Sequence, residues 1–149
     1  MNEISLKAPA KINLTLDIVG RREDGYHLLR TIMQSVDLSD TVTVKKTGDG
    51  EIRLTISDSS LPTDRHNTAY KAAEVFFSAL QKSCDGIAID VQKWIPMQAG
   101  MGGGSADAAG VLKALNILYD NPFSIDELCD LGVKVGADVP FCVWEKSTV

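Results

Sequence analysis

Residues 95–110, with the sequence IPMQAGMGGGSADAAG, constrain this chain more than any other stretch. Glycine occupies four of the five positions 100–104, so the backbone there can adopt positive φ angles and a ligand can approach it closely. Ser105 follows directly and is predicted to cap a helix whose first turn holds Asp107. A glycine loop leading into a helix N-terminus is an anion site, because unpaired amide hydrogens and the positive end of the helix dipole point the same way. The stretch therefore predicts phosphate binding.

Spacing excludes two better-known phosphate loops. The P-loop requires a lysine directly after its last glycine, where this chain has Ser105 and then Ala106. The dinucleotide fingerprint requires three glycines, and Gly100 and Gly102 fit its first two positions, but Ser105 occupies the third. An ordinary glycine-rich turn between a strand and a helix remains the alternative interpretation.

Length, charge and cysteine content bound the class of protein. A chain of 149 residues is long enough to bury a core and is predicted to form one domain over residues 1–149. Its net charge of -5 at pH 7 argues against a nucleic-acid or membrane surface, so an anionic ligand must be held by a local pocket. No apolar run is long enough to predict a membrane-spanning helix, and the N-terminus is too polar for a signal peptide. Three widely spaced cysteines without a CxxC pair predict a reducing cytoplasm.

Hydrophobic patterning predicts an α+β fold with helices on one face of a mostly antiparallel sheet. Pro9 indicates an edge position or a bend in the first strand. Strands are predicted over residues 4–19, 29–38, 41–46, 52–56 and 87–91, with a hairpin turn at 47–50 and an extended path over 139–144. Helices are predicted from Asn67 or Thr68 to about Lys82, from the glycine loop to about Leu118, and after Ser124, which forms a capping box with Glu127.

Three stretches carry a resemblance to a known family. PMQAGMGGGSADAA resembles the second motif of the GHMP small-molecule kinases, P-x-x-x-G-L-G-S-S-A. APAKINLTLDIVGRREDGYH near the start and GADVPF near the end are similar to members that phosphorylate a cytidine-diphosphate-linked alcohol in non-mevalonate isoprenoid synthesis. The resemblance extends to about Val143. It implies a two-layer, ribosomal-protein-like ATP-binding domain, ATP and Mg²⁺ as cofactors, and an ATP-dependent kinase acting on a small-molecule alcohol.

Two residues are candidates for the chemistry of phosphoryl transfer, which needs charge neutralisation and a group that accepts the acceptor's proton. Asp138, in Gly-Ala-Asp-Val-Pro, is such a carboxylate, although its pattern also fits a turn aspartate that bonds its own backbone. The resemblance implies that Asp138 is the catalytic base. Lys11 lies in an otherwise apolar strand and is either a surface lysine or a paired buried one. The resemblance places it beside Asp138, where its charge would keep the carboxylate ionised.

The predicted ATP site combines the glycine loop with residues before the two long helices. Loop amides would hold the phosphates, and the Ser105 hydroxyl would reach a phosphate or Mg²⁺. Asp107 would bind Mg²⁺ or complement the helix dipole, and we favour the dipole role. Asn67, Thr68 and Lys93 resemble the adenine and ribose surroundings, with a helix cap and a surface charge as alternatives. The predicted loop contacts are Pro96, Gly100, Met101, Gly102, Gly103, Gly104 and Ser105.

The predicted site for the cytidylyl substrate lies on the first two strands. Gly-Tyr-His at 25–27 resembles the family's cytidine-recognition turn, in which Tyr26 would stack on the base and His27 would bond its edge. Asn13 would contact the erythritol end, being two residues beyond Lys11 on the same strand face. Met33 would lie across the base from Tyr26 and supply a softer thioether contact. A half-buried aromatic beside a surface histidine is the alternative for the turn.

Members of the family are longer than this chain, which is therefore expected to be an N-terminal part without the second domain. We expect an open cleft that weakens catalysis, and self-association through surfaces that the second domain would cover. Three alternatives stay open: a GHMP kinase for another alcohol, a nucleotide-binding module without activity, and a domain whose glycines only form a turn.

Overall fold

The computed structural model describes residues 1–21, 27–96 and 101–144, and for residues 14–21 and 27–32 it describes the backbone alone. Three strands precede the first helix and three helices follow the last strand, around one mostly antiparallel sheet, which confirms the predicted α+β class. The strands are β1 (Glu3–Arg21), β2 (His27–Lys46), β3 (Ile52–Ile56) and β4 (Ile87–Gln92). The helices are α1 (Thr68–Leu80), α2 (Gly103–Leu118), α3 (Ile125–Val133) and α4 (Val139–Trp144). No helix in this part of the chain is long and apolar enough to cross a bilayer.

The described strands form one sheet in the order β1-β2-β4-β3, with β1–β2 and β2–β4 antiparallel and β3–β4 parallel. Two predictions are wrong. Residues 29–38 and 41–46 belong to a single strand, because Ser39 and Asp40 continue the ladder opposite Pro9 and Ala8. The turn at 47–50 does not close a hairpin, because β4 lies between β2 and β3. The inner position suits β4, which buries three aliphatic side chains, whereas β3 buries Leu54 alone.

Pro9 lies on an edge strand of this sheet and beside an irregularity, as predicted. The pairing of β1 with β2 shifts register between Pro9 and Lys11. Two consecutive residues, Ala10 and Lys11, are 0% and 4% exposed, although a regular strand would direct them to opposite faces. The irregularity therefore accompanies the burial of a lysine side chain at the end of the sheet where the glycine loop lies.

Helix α2 packs closely on the inner face of the sheet. A Cβ atom added at Gly110 would lie 3.0 Å from Val42 Cγ2 and 3.6 Å from Ala8 Cβ. This glycine therefore lets the helix backbone approach the strands. Helix α1 packs beside it and buries Ala69, Ala72, Ala73 and Phe76 at helical spacing, whereas Leu80, which was predicted to be buried with them, is half-buried.

The C-terminal part of the described chain is helical. The capping box of Ser124 and Glu127 is confirmed at the start of α3. The extended path predicted for residues 139–144 is wrong, because these residues form α4. Val139, Cys142 and Val143 are buried at helical spacing, and Pro140 stands in the first turn, where no amide donor is required. The turn before α4 presents Asp138.

Candidate active site

The N-terminus of α2 is built from backbone, with no side-chain cap. Gly102 precedes the helix with φ 68°, and its carbonyl accepts the Ala106 amide at 2.8 Å. The prediction that Ser105 caps the helix is wrong, because α2 begins at Gly103 and Ser105 is already inside it. Among the described residues no side chain at the cap position bonds the first amides. These amides, together with the helix dipole, therefore form a site suited to an anion.

Lys11 and Asp138 meet beside Gly102, and the predicted proximity of the two side chains is confirmed. The Lys11 Nζ atom lies 3.4 Å from Asp138 Oδ2, with side-chain exposures of 5% and 43%. A Cβ atom added at Gly102 would lie 2.8 Å from Lys11 Cε. The Lys11 amide donates to the Met101 carbonyl at 2.9 Å. An almost buried ammonium thus stands between the end of the loop and a carboxylate that solvent reaches.

Helix α1 begins beside the N-terminus of α2. The Thr68 hydroxyl donates to the Gly104 carbonyl at 2.8 Å. Asn67 caps α1 by accepting the Ala69 amide at 2.9 Å, so the cap interpretation of Asn67 is confirmed. The two helix starts lie side by side, which adds their positive dipole ends at one place.

Asp40, Lys93 and Asp107 form a buried charge cluster beside the start of α2. Lys93 Nζ donates to Asp40 Oδ2 at 2.5 Å and to Asp107 Oδ2 at 2.8 Å. The alternative of Lys93 as a surface charge is wrong, because its side chain is 8% exposed. The dipole role of Asp107 is also wrong, because Asp107 lies beyond the first turn of α2 and pairs with Lys93.

Sequence reasoning missed Asp40, although its position carried a signal. Asp40 is in phase along β2 with Val42 and Val44, and all three are 0% exposed. An acidic residue in the phase of buried aliphatic residues needs a partner, because an isolated buried charge is strongly unfavourable. That partner, Lys93, is distant in sequence.

The two carboxylates of the buried charge cluster differ in pKa. Burial, and then the hydrogen bond and negative charge of Asp40, raise the pKa of Asp107 from 3.8 to about 8, against the opposing charge of Lys93. Burial also disfavours ionisation of Asp40, but hydrogen bonds from Asp107, the Ile95 amide and Lys93 lower its pKa overall. The pKa values of two carboxyl groups that share one buried ammonium are thereby shifted in opposite directions.

The sequence model of the GHMP kinases N terminal domain matches residues 67–146, more than half of the chain. This chain belongs to the GHMP kinases. The match covers α1, the glycine loop, α2 and the turn with Asp138, so four of the features described above lie in the part that defines the family.

Similarity extends beyond the matched region to nearly the whole chain. It is 49% identical over 140 residues to a 4-diphosphocytidyl-2-C-methyl-D-erythritol kinase of Clostridium beijerinckii, covering 94% of this chain and 49% of that relative. It is also 49% identical over 138 residues to one of Caldicellulosiruptor saccharolyticus, covering 93% and 47%. The crystal structure of a 4-(cytidine 5'-diphospho)-2C-methyl-D-erythritol kinase superposes with a TM-score of 0.81 and 38% identity, covering 97% of this chain and 50% of that one. This GHMP kinase chain thus spans about half the length of the curated relatives it matches.

The residues predicted to hold the cytidylyl substrate are described in part. Asn13 on β1 is exposed and lies opposite half-buried Met33 on β2 as a cross-strand pair. Tyr26 lies outside the described residues, as does Gly100 of the loop, and the His27 side chain is also outside them. Asn13 shares β1 with Lys11, two residues further along, and Met33 lies on the neighbouring strand.

The described residues fit a nucleotide phosphate better than a protein-bound metal. A Cβ atom added at Gly103 would lie 3.1 Å from Lys93 Nζ, and one added at Gly104 would lie 3.3 Å from Thr68 Oγ1. Side chains at these two positions would therefore crowd the start of α2. Among the described residues no group of three or more His, Cys, Asp or Glu is placed to hold a metal. Mg²⁺ bound to ATP relies mainly on phosphates and water, with one or two protein groups, and the half-buried Ser105 fits that supporting role.

We expect Asp107→Asn to flatten the pH dependence of stability between about pH 4 and pH 8. The folded protein keeps a proton on Asp107 up to about pH 8, whereas the unfolded chain releases it near the ordinary pKa of 3.8. The unfolded state binds fewer protons in this window, so the wild-type free energy of unfolding falls as pH rises, by at most about 1.4 kcal/mol per pH unit for one proton. Urea denaturation of both proteins across the window measures the difference. Equal pH slopes would contradict a protonated Asp107.

Proposed function

We propose that this domain carries the nucleotide-binding and catalytic groups of a 4-diphosphocytidyl-2-C-methyl-D-erythritol kinase. The reaction transfers the γ-phosphoryl group of ATP to the 2-hydroxyl of that alcohol in non-mevalonate isoprenoid synthesis. The observation that carries the proposal is the Lys11–Asp138 pair, with 3.4 Å between Nζ and Oδ2, directly beside the uncapped start of α2. The sequence identity to kinases of this name supports the choice of substrate.

In the proposed complex the loop backbone binds the phosphates of ATP. Amides at the start of α2 donate to phosphate oxygens, and the adjacent start of α1 adds a second positive dipole end. Asn67 and Thr68 lie toward the adenine and ribose, and Ser105 supports Mg²⁺, which neutralises phosphate charge when bound. The proposed loop contacts are Pro96, Gly100, Met101, Gly102, Gly103, Gly104 and Ser105.

Asp138 and Lys11 act at the acceptor hydroxyl. The hydroxyl oxygen forms a bond to the γ-phosphorus, the bond from that phosphorus to the oxygen of ADP breaks, and Asp138 accepts the hydroxyl proton. The exposure of the Asp138 side chain, 43%, lets a substrate reach it. Lys11 has little access to water, so its charge is weakly screened and can offset negative charge on the transferred group.

The cytidine end of the substrate extends along β1 and β2. Asn13 contacts the erythritol portion, Tyr26 stacks on the base, His27 bonds its edge, and Met33 contacts its other side. The cross-strand pairing of Asn13 and Met33 beyond Lys11 supports this arrangement. The cytoplasm is the proposed location, and the free thiols of Cys84 and Cys129 are compatible with that reducing compartment.

Separate calorimetric titrations with Mg-ATP and with cytidine 5'-diphosphate test the proposal. We expect both nucleotides to bind, because the two predicted sites lie on different parts of the fold. Binding of Mg-ATP without cytidine 5'-diphosphate would favour a GHMP kinase for another alcohol. If neither nucleotide binds, the glycines form a turn only and the proposed function fails.

A further inference from the structure

The buried charge cluster of Asp40, Lys93 and Asp107 connects three separate elements of the fold. Asp40 is on β2, Lys93 follows the last residue of β4, and Asp107 is in the second turn of α2. Lys93 Nζ donates to Asp40 Oδ2 at 2.5 Å and to Asp107 Oδ2 at 2.8 Å. The cluster thus links the strand before the glycine loop to the helix after it.

The segment that leads into the loop is held by its backbone amides. Asp40 Oδ1 accepts the Trp94 amide at 2.6 Å and the Ile95 amide at 2.8 Å. The preceding amide, of Lys93, donates to Ser57 Oγ at 2.8 Å. Three successive amides before Pro96 therefore bond to side chains, and hydrogen bonds to a charged acceptor such as Asp40 are the stronger kind.

The far side of the loop is held by the same cluster. Lys93 Nζ reaches Asp107 and passes within about 3 Å of the place where a Gly103 Cβ would stand. Gly103 is the first residue of α2, whose amides are the proposed phosphate donors. A shift of Lys93 would therefore change the position of the amides that form the anion site.

Stability alone is a weak reason for an ammonium and two carboxyl groups in this place. Replacing a buried ion cluster by apolar residues is often neutral or stabilising, because desolvation offsets the attraction. Apolar residues could not accept hydrogen bonds from the Trp94 and Ile95 amides, nor could they orient the start of α2 through a polar contact. Preorganised donors matter for phosphate binding, since a misplacement of about 1 Å can cost about 100-fold in rate.

We infer that Asp40, Lys93 and Asp107 are positioning residues that set both ends of the glycine loop for nucleotide binding. They act on the nucleotide through the loop, in contrast to the direct Lys93 contact that the family resemblance implies. The inference rests on the proposed function, because it assumes that the loop binds ATP.

The test compares the affinities of two nucleotides in variants that keep side-chain shape. In Asp40→Asn and in Asp107→Leu, which removes the polar contact to Lys93, we expect the Kd of Mg-ATP to rise at least about tenfold and the Kd of cytidine 5'-diphosphate to change less than about twofold. Calorimetry well below the unfolding midpoint of each variant measures both constants. Asp90→Asn is the matched control, because Asp90 on β4 accepts the Thr55 hydroxyl at 2.7 Å on the outer face and should leave both affinities unchanged.

Each other outcome overturns the inference in a distinguishable way. A lower unfolding midpoint with unchanged Mg-ATP affinity, or an equal loss for both nucleotides, indicates a merely structural cluster, and the proposed function stands. If Lys93→Met weakens Mg-ATP binding while Asp40→Asn and Asp107→Leu do not, Lys93 contacts the nucleotide directly. A wild-type protein that binds neither nucleotide ends both proposals. Should Asp40→Asn fail to fold, Asp107→Leu, which is similar in shape to aspartate, decides.

Discussion

Replacing Asp138 by asparagine should lower kcat for phosphoryl transfer by about 100- to 10,000-fold, the range that general-base catalysis contributes. Asparagine keeps the shape of the side chain but cannot take the hydroxyl proton. Because Asp138 is 3.4 Å from Lys11 and is not part of the loop, the Kd of Mg-ATP should change little. Coupled detection of ADP with 4-diphosphocytidyl-2-C-methyl-D-erythritol as acceptor measures kcat, and calorimetry measures the Kd.

Asp130→Asn is the control for this experiment, since Asp130 is an exposed aspartate of α3, the helix that leads to the Asp138 turn. It removes one negative charge and should leave kcat unchanged. If the protein binds Mg-ATP but shows only background phosphoryl transfer, which Asp138→Asn leaves unchanged, the chain is a nucleotide-binding module without this activity. The catalytic role of Asp138 would then be abandoned.

Gly102→Ala is expected to lower phosphoryl transfer at least about 100-fold through displacement of Lys11. The new Cβ would lie 2.8 Å from Lys11 Cε, closer than real Cβ contacts, and 3.0 Å from Lys11 Cγ, tighter than most of them. Lys11 is 4% exposed, so its side chain has little room to retreat without moving Nζ from Asp138. The positive φ of Gly102 adds strain of about 1–2 kcal/mol for alanine. Steady-state kinetics and urea denaturation measure the two effects.

The Gly48→Ala variant measures the effect of backbone strain without a steric contact like the one with Lys11. Gly48 has φ 75°, close to that of Gly102, but a Cβ there meets no atom within 4 Å. The two variants should therefore lose similar stability from strain, while only Gly102→Ala loses activity. If both variants are equally active, the position of the Lys11 side chain does not depend on the absence of a Cβ atom at Gly102.

Local signals predicted most of the helices and strands. Helical spacing of small and apolar residues placed α1, and the Ser124–Glu127 box placed the start of α3. The failures were of two kinds. Ser39 and Asp40 looked like a break between strands, although pairing with β1 continues through them. The extended path predicted for residues 139–144 is wrong, because their buried positions have helical spacing.

The sequence predicted individual residues of the candidate site, but it did not predict the contacts between distant ones. The glycines indicated an anion site, and the family resemblance supplied the pairing of Lys11 with Asp138, which spacing alone left open. Ser105 was assigned the cap that Gly102 occupies with a left-handed backbone. Asp40 was overlooked because its partners, Lys93 and the amides of Trp94 and Ile95, are more than fifty residues away.

By itself the sequence determined the features that depend on neighbouring residues: the α+β class, the helix of small residues after the glycine loop, and the capping box. The tertiary structure alone decided that β4 lies between β2 and β3, that Lys93 is buried between two carboxylates, and that Lys11 lies on Gly102. The reason is physical. Helix periodicity and caps act over a few residues, whereas strand order and charge pairing depend on which distant segments bury the most apolar surface together, and the charges left inside must then find one another.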